Sequence, residues 1–124
     1  MRELIARDLA DAAVVLLSAD RQFATAYNAA LQAANMAIAC AGYRITARIG
    51  HHKVSLESAA LALGKAAEKL TDYFETCRRK RNQIDYTQSH VATDTEAKEI
   101  VRKANEFYEL VETWISRNHP TLAR

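Results

Sequence analysis

Three glycines and one proline in 124 residues leave this chain with few means of breaking a helix. Glycine-rich phosphate loops and dinucleotide fingerprints need several closely spaced glycines, and Gly42, Gly50 and Gly64 are scattered. The two cysteines, Cys40 and Cys77, form no Cys-x-x-Cys pair; they read as small buried hydrophobes of a reduced compartment rather than a disulfide. No Glu-x-x-His pair is present, which argues against a carboxylate di-metal bundle, and serine-hydrolase signatures are missing. No apolar run approaches membrane-spanning length, and Met1-Arg2-Glu3-Leu4 does not begin a signal peptide, so the expected location is the cytoplasm. The net charge of +2 is too small to imply nucleic acid by itself; any basic patch must come from clustering.

What is present is alanine, leucine and helical periodicity. The residues are 49% hydrophobic and 26% charged, an ordinary soluble composition, and a chain of this length has room for one domain, taken as 1–124. The expected architecture is all-α, an up-and-down bundle of four to five helices. A first helix is expected over about 2–18, with Ile5, Leu9, Ala12, Leu16 and Leu17 in its stripe. Asp20 is placed to cap a second helix over about 21–41, with Gly42 as its stop. Its stripe of Phe23, Ala26, Tyr27, Ala30, Ala34, Ala37 and Ile38 is mostly alanine, which lets neighbouring helices come close; Asn28 sits at its edge. A loop over 43–53 carries Arg44, Arg48, His51 and His52. The adjacent histidines lack the one-turn spacing of a helical metal pair and read as loop histidines or as residues packed against a helix end. Ser55 reads as the N-cap of a short helix to Leu63, and Gly64 separates it from a longer helix over 65–82. A second polar loop spans 83–92. Thr93-Asp94-Thr95-Glu96 fits a capping box for the last helix, Pro120 ends that helix, and the tail to Arg124 is expected to fray.

The unusual stretch is Arg78-Arg79-Lys80-Arg81-Asn82, the only dense basic cluster. Leu70, Phe74, Cys77 and Arg81 follow steps of four, three and four residues, so Arg81 continues an apolar helix face while Arg79 points away from it. A guanidinium on a core face needs a polar partner. One reading makes Arg81 an ion pair with Asp85 or with a carboxylate of the first helix, fixing helix packing. The other makes Arg78, Arg79 and Lys80 phosphate-binding side chains. Cations at a helix C-terminus also favour the helix itself.

Here the order of features resembles a family. Asp11-Ala-Ala-Val-Val-Leu-Leu, then Ala26-Tyr27-Asn-Ala-Ala-Leu-Gln-Ala-Ala34 running to Gly42, then His51-His52, then Arg81-Asn82 with Asp85-Tyr86, then a long acidic helix, together resemble small stand-alone bacterial members of the HEPN superfamily (higher eukaryotes and prokaryotes nucleotide-binding domains). The resemblance spans nearly the whole chain. It implies a helical bundle that dimerises with its arginine turns facing each other. It also implies RNA or nucleotide binding, metal-independent RNase activity without a cofactor, and a toxin–antitoxin or defence setting with a nucleotidyltransferase antitoxin as partner. The family motif is arginine, a polar residue, a few variable residues and histidine. Carried over, Arg81 matches the arginine and Asn82 the polar residue, whereas Tyr86 stands at the histidine position. Histidine exchanges protons near neutral pH and tyrosine, ordinarily near pH 10, does not. Tyr86 has an alternative role as an aromatic at the end of the bundle. His90 is the other candidate proton carrier, at a spacing outside the family pattern. A non-catalytic interaction subunit docked on a nucleotidyltransferase is the competing reading.

Overall fold

The computed structural model describes residues 1–14, 18–42, 51–85 and 90–124, side chains excepted at 51–54 and 85. Five α-helices follow one another: α1 Arg2–Ala12, α2 Ala19–Cys40, α3 His51–Leu63, α4 Lys65–Asp85 and α5 Asp94–Asn118, with a 3-10 turn at Pro120–Leu122. The fold is an all-α bundle, as the periodicity implies.

Helix α2 is the hub and touches every other helix. Its buried positions are dominated by alanine, Ala26, Ala29, Ala30, Ala33, Ala34 and Ala37 among them, so neighbouring backbones approach without displacing large side chains. Phe23, Tyr27 and Ile38 supply bulk between the small residues. Across from it, α5 buries Ile100, Ala104, Phe107, Val111 and Ile115 on one face. Phe107 stacks at a tilt on Phe74 of α4, ring centroids 5.6 Å apart.

The helix ends differ from the sequence expectation in several places. Helix α1 stops at Ala12, and Ser18, not Asp20, caps α2: its Oγ accepts from the Arg21 amide at 3.2 Å. Asp20 lies one residue inside α2 and turns to the chain ahead of α5, accepting from the amides of Val91 (3.3 Å) and Ala92 (2.7 Å). Ser55 is no cap either. Helix α3 starts at His51, and Ser55 lies fully buried within it, its Oγ without a hydrogen-bond partner among the described residues. Gly64 separates α3 from α4 at φ +86, a conformation that costs a residue with a Cβ. Helix α4 runs three residues further than expected, to Asp85. The capping box at α5 forms as read, with Thr93 Oγ1 accepting from the Glu96 amide and the Glu96 carboxylate accepting in return.

The C-terminal tail folds back on α5. Pro120 opens the 3-10 turn, and Arg124 reaches back to Glu109 at 2.7 Å. Beneath it sits the one buried carboxylate among the described residues, Glu112. Arg2 grips it with Nε at 2.9 Å from Oε2 and Nη2 at 3.0 Å from Oε1, and the Tyr108 hydroxyl donates to it at 2.7 Å. This network ties α1 to α5 about four turns from Glu96, leaving the other end of the bundle to the basic cluster.

Candidate functional site at the end of α4

Leu70, Phe74 and Cys77 are buried, so the face of α4 that reads apolar does enter the core. Arg81 continues that face and is half-buried. Its Nε and Nη2 both donate to the side-chain oxygen of Asn28 on α2, at 3.3 and 3.0 Å. The partner described is thus an amide of α2 rather than a carboxylate of α1, and Asp85, the other expected partner, has a side chain outside the described part. Burial draws the Arg81 pKa below its ordinary value, with neighbouring Tyr27 acting the other way. The ordinary value is so high that the guanidinium stays charged. The buried Tyr27 hydroxyl is pushed up to about 12, first by burial and then by the charge of Glu75, while Arg78 and Arg81 pull it down. Tyr27 is therefore a neutral wall of the site at neutral pH, as a core tyrosine should be.

The three neighbours of Arg81 diverge. Arg79 is exposed, pointing away from the core as its register requires. Arg78 bonds Glu75 one turn back, Nε to Oε1 at 3.0 Å. Lys80 lies 2.8 Å from Glu96 on α5 and donates to the Val91 carbonyl at 3.2 Å. Arg78 and Lys80 are thus pinned by carboxylates. Asn82 is half-buried beside Arg81.

Tyr86 lies outside the described residues, as do Arg44 and Arg48. His90 is described, exposed, in the left-handed region at φ 59. The next residue, Val91, is held by Lys80 on one side and Asp20 on the other. The chain carrying His90 therefore returns to the end of α4, beside the residue preceding Arg81. A small recess of about 240 Å³ opens there, bounded by Phe23, Tyr73, Cys77, Lys80 and Glu99. Burial raises both Tyr73 and Cys77, so neither supplies a ready anion at neutral pH. Among the described residues no group of three or more histidine, cysteine or acidic side chains is placed to hold a metal ion.

Sequence reading missed Asn28 and Asp20. The signal for Asn28 was faint: an amide beside Tyr27 on a stripe otherwise made of alanine. Its partner is 53 residues away, beyond the reach of local spacing. Asp20 resembles a cap because it stands at a helix start, where an acidic residue has a local role.

These features define a helical bundle with an inward arginine at the end of its fourth helix. The SAV_6107-like HEPN family matches residues 12–112, and the chain belongs to the HEPN superfamily. No curated protein and no solved structure matches it. No helix among the described residues is long and apolar enough to cross a membrane.

Proposed function

We propose that this chain is a cytoplasmic, homodimeric HEPN module that binds RNA or nucleotides at the C-terminal end of α4, in a toxin–antitoxin or defence setting. The observation that carries the reading is the Arg81–Asn28 contact. Asn28 accepts from both Nε and Nη2, so the contact fixes the orientation of the guanidinium at the end of α4, and the amide itself adds no negative charge there. Arg79 stands exposed beside it, and Arg78 and Lys80 exchange carboxylate for phosphate at some cost. In a dimer with the two α4 ends facing, two copies of Arg81 would flank one phosphate track. A metal-independent cleavage there needs a proton carrier, for which the residues at hand are Tyr86 and His90.

The carboxylate ties on Arg78 and Lys80 favour a second reading. In it the chain is a non-catalytic subunit that docks a nucleotidyltransferase, and the α4 end is scaffold.

Fluorescence anisotropy with a labelled single-stranded RNA separates the two. RNA binding should weaken with salt by a slope of about 0.7 per phosphate neutralised. Arg81→Met, which keeps the apolar stem, should lower affinity and slope together. Sedimentation should give a dimer. A monomer that binds no RNA at low salt overturns the first reading and leaves the interaction subunit.

A further inference from the structure

Away from the basic end, a groove of about 600 Å³ runs between the second half of α3 and the first half of α4. Its floor is apolar, with Leu56 buried and Ala60 half-buried, and at its edge Leu61 is 87% exposed. That is the most exposed large hydrophobic side chain among the described residues, and it stands at the lip of the groove rather than alone on a convex surface. The walls are acidic. Glu57 comes from α3, and Glu68, Asp72 and Glu75 come from α4; Lys65 is the one cation in the lining among the described residues. Glu68 and Asp72 are exposed; Glu75 accepts from Arg78 with one carboxylate oxygen, and its second is buried without a hydrogen-bond partner among the described residues.

The charge is a local inversion. The chain as a whole carries +2, yet the described lining of this groove holds four carboxylates and one ammonium, with Arg78 bonded to one of them, Glu75, and Glu68 and Asp72 open to solvent. Phosphate backbones and anionic lipid headgroups are repelled by such walls. An apolar floor between acidic walls suits one kind of occupant: a short amphipathic helix that offers aliphatic side chains at one-turn spacing and lysine or arginine on both flanks. The lined stretch from Leu56 to Gly64 spans about 12 Å at a helical rise, enough to seat two turns of such a helix.

We propose that the α3–α4 groove is a docking site for a basic amphipathic helix of a partner protein. The site is separate from the α4 end and stands whether or not that end binds RNA.

The probe is an alanine-based helical peptide with leucines one turn apart flanked by lysines; its control carries glutamates instead. Titration into 15N-labelled protein should shift amide resonances over 56–75 with the lysine peptide and leave them unmoved with the control. Glu68→Gln/Asp72→Asn and, separately, Leu61→Ser should each weaken peptide binding about tenfold. These residues are exposed, so the variants should fold as the wild type does. RNA affinity should be unchanged in both, which keeps this result apart from the fate of the α4 reading. The proposal is overturned if the variants bind the peptide as the wild type does, or if the shifts fall on other acidic surfaces. It is also overturned if Leu61→Ser turns a dimer into monomers, because the occupant would then be a second copy of this chain.

Discussion

The Arg81 guanidinium and the Asn28 side-chain oxygen meet at 3.0 Å across the α2–α4 interface, joining residues 53 positions apart. A neutral amide is thus one of the groups that hold this half-buried cation, and changing its charge tests stability and binding separately. Asn28→Asp should tighten the contact through charge assistance, raising stability by up to about 1 kcal/mol. The same change puts a negative charge where a phosphate would bind, so RNA affinity should fall. Urea unfolding and anisotropy on one variant should therefore move in opposite directions. If both fall, the amide is holding something other than Arg81 in place.

The reverse deletion follows the same physics. Asn28→Leu removes an acceptor that two guanidinium nitrogens share, at a cost of about 1–3 kcal/mol. Arg81→Met keeps the packed stem and removes a half-buried charge together with its desolvation cost, so it should cost less. Urea midpoints for the pair test the order. If Arg81→Met proves the more damaging, the arginine is a structural ion pair and the binding reading weakens.

How far these relationships could be read from sequence depends on their range. Local signals held: the stripe of α5, its capping box at Thr93 and Glu96, the break at Gly64, and the inward register of Arg81. Local signals also misled where a nearby competitor existed. Ser55 resembles a cap, but α3 begins four residues earlier and buries it. Asp20 resembles a cap, but Ser18 fills that role and frees Asp20 to bond the chain before α5. Asn28 and the Arg124–Glu109 contact were illegible because their partners are set by tertiary packing. No spacing rule pairs an amide on α2 with an arginine at the end of α4.

Asp20 and Lys80 together should govern the segment that carries His90. The two Asp20 oxygens hold the Val91 and Ala92 amides, and Lys80 holds the Val91 carbonyl. Asp20→Ala should leave two amides without these acceptors, costing about 1–3 kcal/mol. The Val91 and Ala92 amides should exchange hydrogen much faster, while α5 amides beyond the first turn stay protected. Uniform acceleration along α5 would show that Asp20 supports the whole helix rather than the strap.

Acid sensitivity should centre on Glu112. Burial pushes its carboxyl up, but hydrogen bonds from Arg2 and Tyr108, with the charges of Arg2 and Arg124, outweigh burial and hold it below its ordinary value of 4.5. A depressed folded value means the stabilisation is fully present above about pH 4.5 and is lost as pH falls through that lower folded value. Glu96, lowered chiefly by its hydrogen bond from Lys80, adds in the same direction. Glu112→Gln should cost about 1–3 kcal/mol at neutral pH and should flatten the acid limb of a stability–pH curve, leaving the part due to Glu96. An unchanged acid limb would place the sensitivity elsewhere.

The sharpest test of catalysis uses Tyr86 and His90 together. The family motif places a histidine where this chain has Tyr86, and the chemistry needs a group that exchanges a proton near neutral pH. Tyr86→His restores the Arg-Asn-x-x-x-His spacing from Arg81 and Asn82. With Arg81 already oriented by Asn28, it should confer RNA cleavage with an optimum near neutral pH, and Arg81→Met in that background should abolish it. His90 gives the counterpart. It is exposed, and the chain carrying it is strapped beside Lys80, so a wild-type activity that depends on His90 should vanish in His90→Ala while RNA binding persists. If Tyr86→His stays folded, dimeric and inert, and His90→Ala changes nothing, the α4 end positions RNA or packs helices without cleaving, and the RNase part of the proposal falls.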